Sequence, residues 1–324
     1  MKRTIRAISP PGLLPPEKLR KIVERLAPTG KSSAQLEAAS HKSDGTSHDD
    51  DKSDSVKIMS WNCDGLLQYL STTTTAMDAF VKKAPAKLSE KSFLHKLLAR
   101  HNPDVMCLQE VHLWSSDMKQ VTKQLQQDAP GYSFHSCLPL GKGGRRKAGV
   151  LTLYKEKYKG LATTDTVDWD QEGRVSILRF PRLHIYNVYC LNSSENPYKD
   201  PVTGETHGTR SERKRLFDAK LASTLQAHVD QGVQVVLLGD LNISRYKIDS
   251  LGGHLRTHHP HDLNRAHFND KFSPFRDIIR ERFPDRPKYT WFSRAEDSWT
   301  GNNDKARVDL ILLSHGLSVN DADT

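Results

Sequence analysis

The sequence predicts a mixed α/β protein with one large sheet or two and helices on the outside. Three observations predict it. Short apolar, β-branched runs recur from residue 56 onward, and several are apolar throughout, as strands covered on both faces are. Segments of helical period separate some of them. The 36% hydrophobic content of the 324 residues supplies enough apolar side chains for a core.

Residues 1–54 read as a disordered tail, because stretches such as residues 43–52 are polar and turn-rich. Within the tail, Leu19, Ile22, Val23 and Leu26 share one helical face, suited to docking on a partner or on the chain's own domain. The folded domain is expected over residues 55–324. Its strands fall at 56–61, 104–108, 148–154, 175–180, 183–190, 233–238 and 307–313. Residues 93–100 form a helix before the second strand. A longer helix covers 209–231, with Leu216, Phe217, Leu221, Leu225 and Val229 on its apolar side. The runs at 148–154, 175–180 and 183–190 follow each other closely, as antiparallel neighbours would.

No apolar run reaches the length that crosses a bilayer, and no membrane partner is expected. The first eight residues are basic but lack the apolar stretch of a signal peptide. The net charge of +9 favours a polyanionic partner, of which nucleic acid is the usual one. Cys63, Cys107, Cys137 and Cys190 form no C-x-x-C pair, which argues against a structural zinc site and fits a reducing compartment.

The informative residues follow the strands. The first run leads into Asn62-Cys63-Asp64, the second into Gln109-Glu110, the fifth into Tyr189 and Asn192, and the sixth into Asp240-Leu241-Asn242. The last run carries Asp309 behind Arg307. Each alone is an ordinary turn former, but a carboxylate such as Glu110 beside an apolar run resists burial unless it is paired or metal-bound. Ligands of layered α/β folds gather beyond strand ends. A cluster of Asp, Glu and Asn without His or Cys suits a hard cation, Mg²⁺ or Mn²⁺, and hence phosphodiester chemistry. The cations Arg210, Arg213, Lys214 and Arg215 open the long helix and are candidates for phosphate contact. The basic loop at 143–147 is a second candidate.

Together these motifs resemble the exonuclease III/AP-endonuclease branch of the endonuclease/exonuclease/phosphatase superfamily. Trp61-Asn62-Cys63-Asp64-Gly65-Leu66 is similar to its W-N-x-D-G-L, and residues 103–110 to its P-D-x-x-C-L-Q-E. Residues 170–175 resemble D-x-E-G-R-V, residues 187–192 resemble N-V-Y-x-x-N, and residues 239–242 resemble G-D-x-N. Thr290-Trp291 and Arg307-Val308-Asp309 match the T-W and R-x-D elements. The resemblance implies a DNase I-like four-layered α/β sandwich of two mixed β-sheets flanked by helices. It implies Glu110 as principal Mg²⁺ ligand, with Asp64 and Asn62 around the ion and Mn²⁺ as a substitute. Asp240 would orient the attacking water, Asn242 and Asn192 would hold the scissile phosphate, and Tyr189 would hydrogen-bond beside it. Asp309 would orient a catalytic His, and Arg174 would join Arg210, Arg213 and Lys214 in binding DNA.

Two departures accompany the resemblance. The family closes with S-D-H-x-P on a last strand, and the chain stops at Asp323-Thr324 without it; a truncated chain with a missing final strand and an exposed sheet edge is expected. His315 is not at the matching position. The Trp that precedes the family's R-x-D arginine is Ala306 here, with Trp291, Phe292 and Trp299 nearby. The implied function is therefore Mg²⁺-dependent cleavage of DNA, with or without abasic sites, by a monomer in the nucleus. Two alternatives stay open: a sister enzyme acting on 5′-tyrosyl DNA ends, RNA or phosphoinositides, and a catalytically crippled nucleic-acid binder. His254, His258, His259 and His261 read as solvated loop residues, Asp249 as a loop cap, and Asn264 to Asn269 as a short surface helix or a DNA contact.

Overall fold

The structure is a computed structural model. It describes the backbone of residues 22–28 and all atoms of residues 55–70, 91–140, 148–251, 257–293 and 304–324. In chain order the first half holds β1 (Ile22–Pro28), β2 (Val56–Asn62), α1 (Phe93–His101), β3 (Val105–Gln109), α2 (Met118–Asp128), β4 (Tyr132–Cys137), β5 (Val150–Lys155), β6 (Thr163–Asp165), β7 (Val175–Phe180) and β8 (Leu183–Tyr189). The second half holds β9 (Pro197–Lys199), β10 (Thr206–Thr209), α3 (Arg210–Asp230), β11 (Gln234–Asp240), β12 (Ser250–Leu251), α4 (His261–Lys271), β13 (Arg276–Asp277), α5 (Ile278–Arg282), β14 (Trp291–Phe292), β15 (Lys305–Ala306), β16 (Asp309–Leu313) and β17 (Leu317–Asp323).

Two six-stranded sheets form the core of the fold. One runs β17-β1-β2-β3-β5-β4 and the other β13-β16-β11-β8-β7-β6. Each mixes parallel and antiparallel pairs: β2 with β3 and β8 with β11 are parallel, and their other neighbours are antiparallel. The alternation of side chains shows the layers. On β3, Val105 and Cys107 pack between the sheets, while Met106 and Leu108 face α1 and α2. On β11, Val236 and Leu238 point between the sheets, and Val235 and Leu237 join Phe217, Leu221 and Leu225 of α3. Leu310 and Leu312 of β16 follow β11 outward, and Ile311 and Leu313 follow it inward. The order helix, sheet, sheet, helix is the four-layered DNase I-like sandwich.

The seven expected strands and both expected helices are present. The long helix opens on a capping box: Glu212 N donates to Thr209 Oγ1 at 3.2 Å, and Thr209 N donates to Glu212 Oε2 at 2.7 Å. Three expectations need correction. The run at 148–154 does not join those at 175–180 and 183–190; as β5 it pairs with β3 and β4 in the other sheet. Leu216, assigned to the apolar side of the long helix, is 59% exposed. The third concerns residues 1–54. Ile22–Pro28 is a strand rather than part of a helical face, and it lies between β2 and β17, antiparallel to both. Two open strand edges with unpaired amides and carbonyls decide the conformation there, and Ile22 and Val23 suit a strand as well as a helix. The free side of β2 is thus covered, whereas a chain lacking its last strand was expected to expose an edge. The other tail residues, the basic loop at 143–147, His254 and Trp299 lie outside the described residues.

Candidate active site

The strand ends of both sheets converge on one cluster. Asn62 ends β2, Glu110 follows β3, Asp240 ends β11 and Asp309 begins β16. Asp240 stands opposite Asp309 in one ladder and opposite Tyr189 in the other. The Asn62 side-chain amide joins the sheets: its Nδ2 donates to Glu110 Oε1 at 2.7 Å and to Asp240 Oδ2 at 2.9 Å. Its Oδ1 accepts from the Asp64 amide at 3.2 Å. On the far side of Asp240, Oδ1 accepts from the Asn242 amide at 2.9 Å, and Asn242 Nδ2 donates to the Cys190 carbonyl at 3.0 Å. Thr290 Oγ1 accepts from the amides of Val308 and Asp309, both at 3.1 Å.

Backbone strain concentrates here. Among the described residues, five that are not glycine have positive φ, and four of them are Asp64, Glu110, His112 and Asn242. Such conformations cost roughly 1–3 kcal/mol each and persist where the surroundings over-determine them. Gly239, at φ 133°, meets a related demand: a Cβ there would lie 2.1 Å from the Val188 carbonyl oxygen. Only glycine lets β11 pass β8 this closely just before Asp240.

Behind the cluster is a buried polar bridge. Gln109 Nε2 of one sheet donates to Asn187 Oδ1 of the other at 2.7 Å. Asn187 Nδ2 in turn donates to the Leu151 carbonyl and to Thr152 Oγ1, each at 3.1 Å. Both amides are fully buried and satisfied, so they lock the register of β3 against β8 and with it the spacing of Glu110 and Tyr189.

The electrostatics are those of crowded anions. Burial raises the Asp240 pKa well above its ordinary value, and Asp309 and Glu110 raise it further. Asp309 is pushed up to about 6 by burial and by Glu110, against the opposing hydrogen bond from Thr290. The Tyr189 hydroxyl is likewise held well above 10, first by burial and then by Glu110. Ligand atoms of Asp64, Glu110 and His112 all lie within 4.8 Å of one another. Buried carboxylates crowded beside Glu110, with oxygen atoms converging, fit a divalent cation. His112 modifies the expected donor set. Its Nε2 lies 3.3 Å from Glu110 Oε2, and its Nδ1 lies 3.9 Å from Asp64 Oδ1. The sequence signal for it was its place two residues beyond Glu110, past the buried Val111.

Asn62, Asp64, Glu110, Tyr189, Asp240, Asn242 and Asp309 are therefore brought together. Asn192 stands apart: it is exposed, and its Oδ1 accepts from Arg210 Nη2 at 2.8 Å and Nε at 3.1 Å. Two of the four expected DNA contacts are corrected. Arg174 is buried, with Nε and Nη2 on Glu172 Oε2 at 3.0 and 2.7 Å and Nη1 on the Tyr189 carbonyl at 3.1 Å. Lys214 has no exposed surface, and its Nζ donates to the Leu241 carbonyl at 2.9 Å and to Asp218 at 3.3 Å. Both are buried on these partners rather than presented to a phosphate. Arg213 lies with its guanidinium 5.0 Å from the centre of the Tyr198 ring. Asp249, expected to cap a loop, takes the Tyr246 amide at 3.2 Å but is also fully buried against Arg307. Residues 264–269 lie in α4, with Asn264 and Phe268 buried.

A four-layered sandwich with carboxylates and amides at its converging strand ends defines a class. The chain belongs to the endonuclease/exonuclease/phosphatase family, whose model matches residues 59–324. Within the family its relatives are of the AP-endonuclease/exonuclease III type. It is 26% identical over 275 residues to the DNA repair nuclease APEX1 of Danio rerio, covering 83% of this chain and 76% of that one. It is 24% identical over 273 residues to an exodeoxyribonuclease of Bacillus subtilis, covering 81% and 89%. A DNA-(apurinic or apyrimidinic site) endonuclease of Dictyostelium discoideum is 27% identical over 201 residues, covering 60% of this chain; the match spans 44% of that relative's length. The same fold is found in the catalytic domain of Xenopus laevis APE2, with a TM-score of 0.54 and 20% identity over 80% of this chain and 82% of that one. A Neisseria 3′ phosphatase bound to product DNA hairpin has the same TM-score and identity over 80% and 87%. Among the described residues, no helix is long and apolar enough to cross a membrane.

Proposed function

We propose that the chain is a Mg²⁺-dependent phosphodiesterase acting on DNA, of the AP-endonuclease or 3′-exonuclease type, and that it serves base-excision repair in the nucleus. The observation that carries this reading is the Asn62 amide, which ties Glu110 of one sheet to Asp240 of the other amid an excess of buried carboxylate. Glu110, Asp64 and the Asn62 carbonyl would hold the ion, with His112 at its edge. When bound, the ion supplies charge for the phosphate oxygens and offsets the carboxylate crowding. Asp240, fixed by Asn62 and the Asn242 amide, would accept a hydrogen bond from the attacking water. Tyr189, its hydroxyl protonated at neutral pH, would donate to a phosphoryl oxygen. Asn242 and Asn192 would position the phosphate, with Arg210 behind Asn192. Asp309 would hold the Asp240 side of the site through its pairing across β11 and β16.

The test is a fluorescent duplex carrying one abasic-site analogue, incubated with Mg²⁺ or EDTA beside Glu110→Ala. The expected result is a metal-dependent nick 5′ to the analogue, lowered by about 10²- to 10⁴-fold in the variant. Salt-sensitive DNA binding without product would replace the enzyme reading with that of a binding protein. Trimming from a 3′ end without the nick would assign the exonuclease type. That outcome is a specific question here, because Ala306 is paired in register with Trp291 rather than being an aromatic residue itself.

A further inference from the structure

An oxygen-only donor set favours Mg²⁺, and the folded chain departs from it. His112 stands beside both carboxylates proposed to hold the ion. Its Nε2 lies 3.3 Å from Glu110 Oε2, and its Nδ1 lies 3.9 Å from Asp64 Oδ1. One donor atom from each of the three residues lies within 4.8 Å of the other two. Ligand atoms about 2.1 Å from one ion stand roughly 3.0–3.4 Å apart when they are neighbours, so His112 and Glu110 already have the spacing of adjacent ligands.

The backbone holds the three side chains in fixed relation. The loop carrying Asp64 is tied to the loop carrying Glu110 and His112 by three hydrogen bonds. Cys63 N donates to the Gln109 carbonyl at 3.0 Å, Gly65 N to that of Glu110 at 2.7 Å, and Leu66 N to that of Val111 at 3.0 Å. Val111, between Glu110 and His112, is fully buried, and His112 N donates to the Ala148 carbonyl at 3.2 Å. Asn62 Nδ2 takes Glu110 Oε1, which leaves Oε2 on the side of the imidazole. The His112 side chain is 19% exposed, so an ion can approach it from solvent. Donors held this way lose little freedom when they close on a cation.

We propose that His112 is a nitrogen ligand of the active-site cation, and that the centre therefore favours a first-row transition-metal dication over Mg²⁺ more strongly than its oxygen atoms alone would. The proposal rests on the reading of this cluster as the cation site of a phosphodiesterase, and it adds the ligand that decides between cations. Mg²⁺ is a hard ion that keeps its waters and gains little from an imidazole. Mn²⁺ accepts carboxylate oxygen equally well and takes a neutral imidazole besides, and the ions after it in the series take one more readily still. The carboxylates of Glu110 and Asp64 thus serve either kind of ion, while His112 discriminates.

The experiment titrates the full chain, without DNA, with Mn²⁺ followed by the electron paramagnetic resonance signal of the free ion, and then displaces the bound ion with Mg²⁺. Pulsed spectra of the bound Mn²⁺ are read for hyperfine coupling to nitrogen, a measurement on the wild type that needs no variant. His112→Asn and Glu110→Ala are run alongside after thermal melts show that each is folded; asparagine suits position 112, where φ is 55°. The expected result is nitrogen coupling in the wild type that is absent in His112→Asn, with Mn²⁺ affinity lowered about tenfold and Mg²⁺ affinity by less than about threefold. Glu110→Ala should abolish Mn²⁺ binding, and binding that survives it places the ion elsewhere and overturns the proposal. Bound Mn²⁺ without nitrogen coupling, coupling that survives His112→Asn, or an equal loss for both ions also overturns it, leaving His112 a hydrogen-bond partner of Glu110. So does the absence of Mn²⁺ binding at millimolar concentration. Duplex nicking in Mg²⁺ by the same preparations is scored separately. Glu110-dependent nicking without the nitrogen signal removes the His112 ligand alone, and the nitrogen signal without nicking removes the enzyme reading alone.

Discussion

Replacing Arg307 by Leu should destabilise the chain by about 3–5 kcal/mol, as removing one partner of a buried ion network does. Arg307 has no exposed surface. Its Nε and Nη2 donate to the two oxygens of Asp249, and its Nη1 and Nη2 to the two oxygens of Asp277, all at 2.9 Å. Four hydrogen bonds to charged groups, at roughly 1.5–3 kcal/mol each, give a gross loss of about 6–12 kcal/mol. The net is smaller because neither carboxylate is left bare. Arg280 still donates to Asp249, and Arg245 lies 3.4 Å from Asp277. The assay is urea unfolding with the slope held common to wild type and variant. Adding Asp277→Asn to Arg307→Leu should recover part of the loss, since the amide carries no charge and can still cap α5 at the Arg280 amide. A loss below about 1 kcal/mol in the single variant, or no recovery in the double, would refute the view that this network is a set of mutually dependent charges.

Three further outcomes follow from the same geometry. Asn187→Leu removes the inter-sheet amide and leaves buried acceptors unpaired, so urea unfolding should report a loss of about 2–4 kcal/mol, with slower nicking as Glu110 and Tyr189 lose their common register. Glu24→Pro should cost about 3 kcal/mol or more by thermal melt, because β1 is paired on both sides at that position, opposite Ile58 and Ala322; an unchanged melt would mean that β1 does not hold the edges of β2 and β17. His184 is held down to about 4 by burial, His228 and Arg179, so it stays neutral in the fold while it protonates near 6.5 when unfolded. Its contribution is whole above pH 6.5 and is lost as the pH falls toward 4; the expected drop of about 1–3 kcal/mol across that window should flatten in His184→Phe.

What the sequence disclosed follows from what each residue needs. β3, β11 and β16 were legible because strands buried on both faces must be apolar at every position, and no solvated segment imitates that run. Glu110 and Asp240 were legible for the opposite reason, since a carboxylate ending such a run demands a partner. The partners themselves were hidden. Asn62 contacts Asp240 across 178 residues of sequence, and no local pattern encodes that distance. Arg174 and Lys214 misled for the same cause. A cation in a polar stretch reads as solvated, yet each is buried on a partner that depends on how the chain folds back: the Tyr189 carbonyl for one, the Leu241 carbonyl for the other.

β1 shows how far local preference can be overridden. Leu19, Ile22, Val23 and Leu26 carry a helical period, but the residues that settle the matter are in β2 and β17, whose edges each present a row of unpaired groups. Six ladder positions against β17 and five against β2 outweigh a helix-propensity difference of a few tenths of a kcal/mol per residue. The same reasoning links this distant strand to the chemistry. β2 carries Asn62 at its end, so whatever fixes β2 in its sheet also fixes the amide that spans Glu110 and Asp240. A segment whose composition reads as tail therefore sits one strand away from the site, and the proline at position 24 should lower the nicking rate as well as the melting temperature.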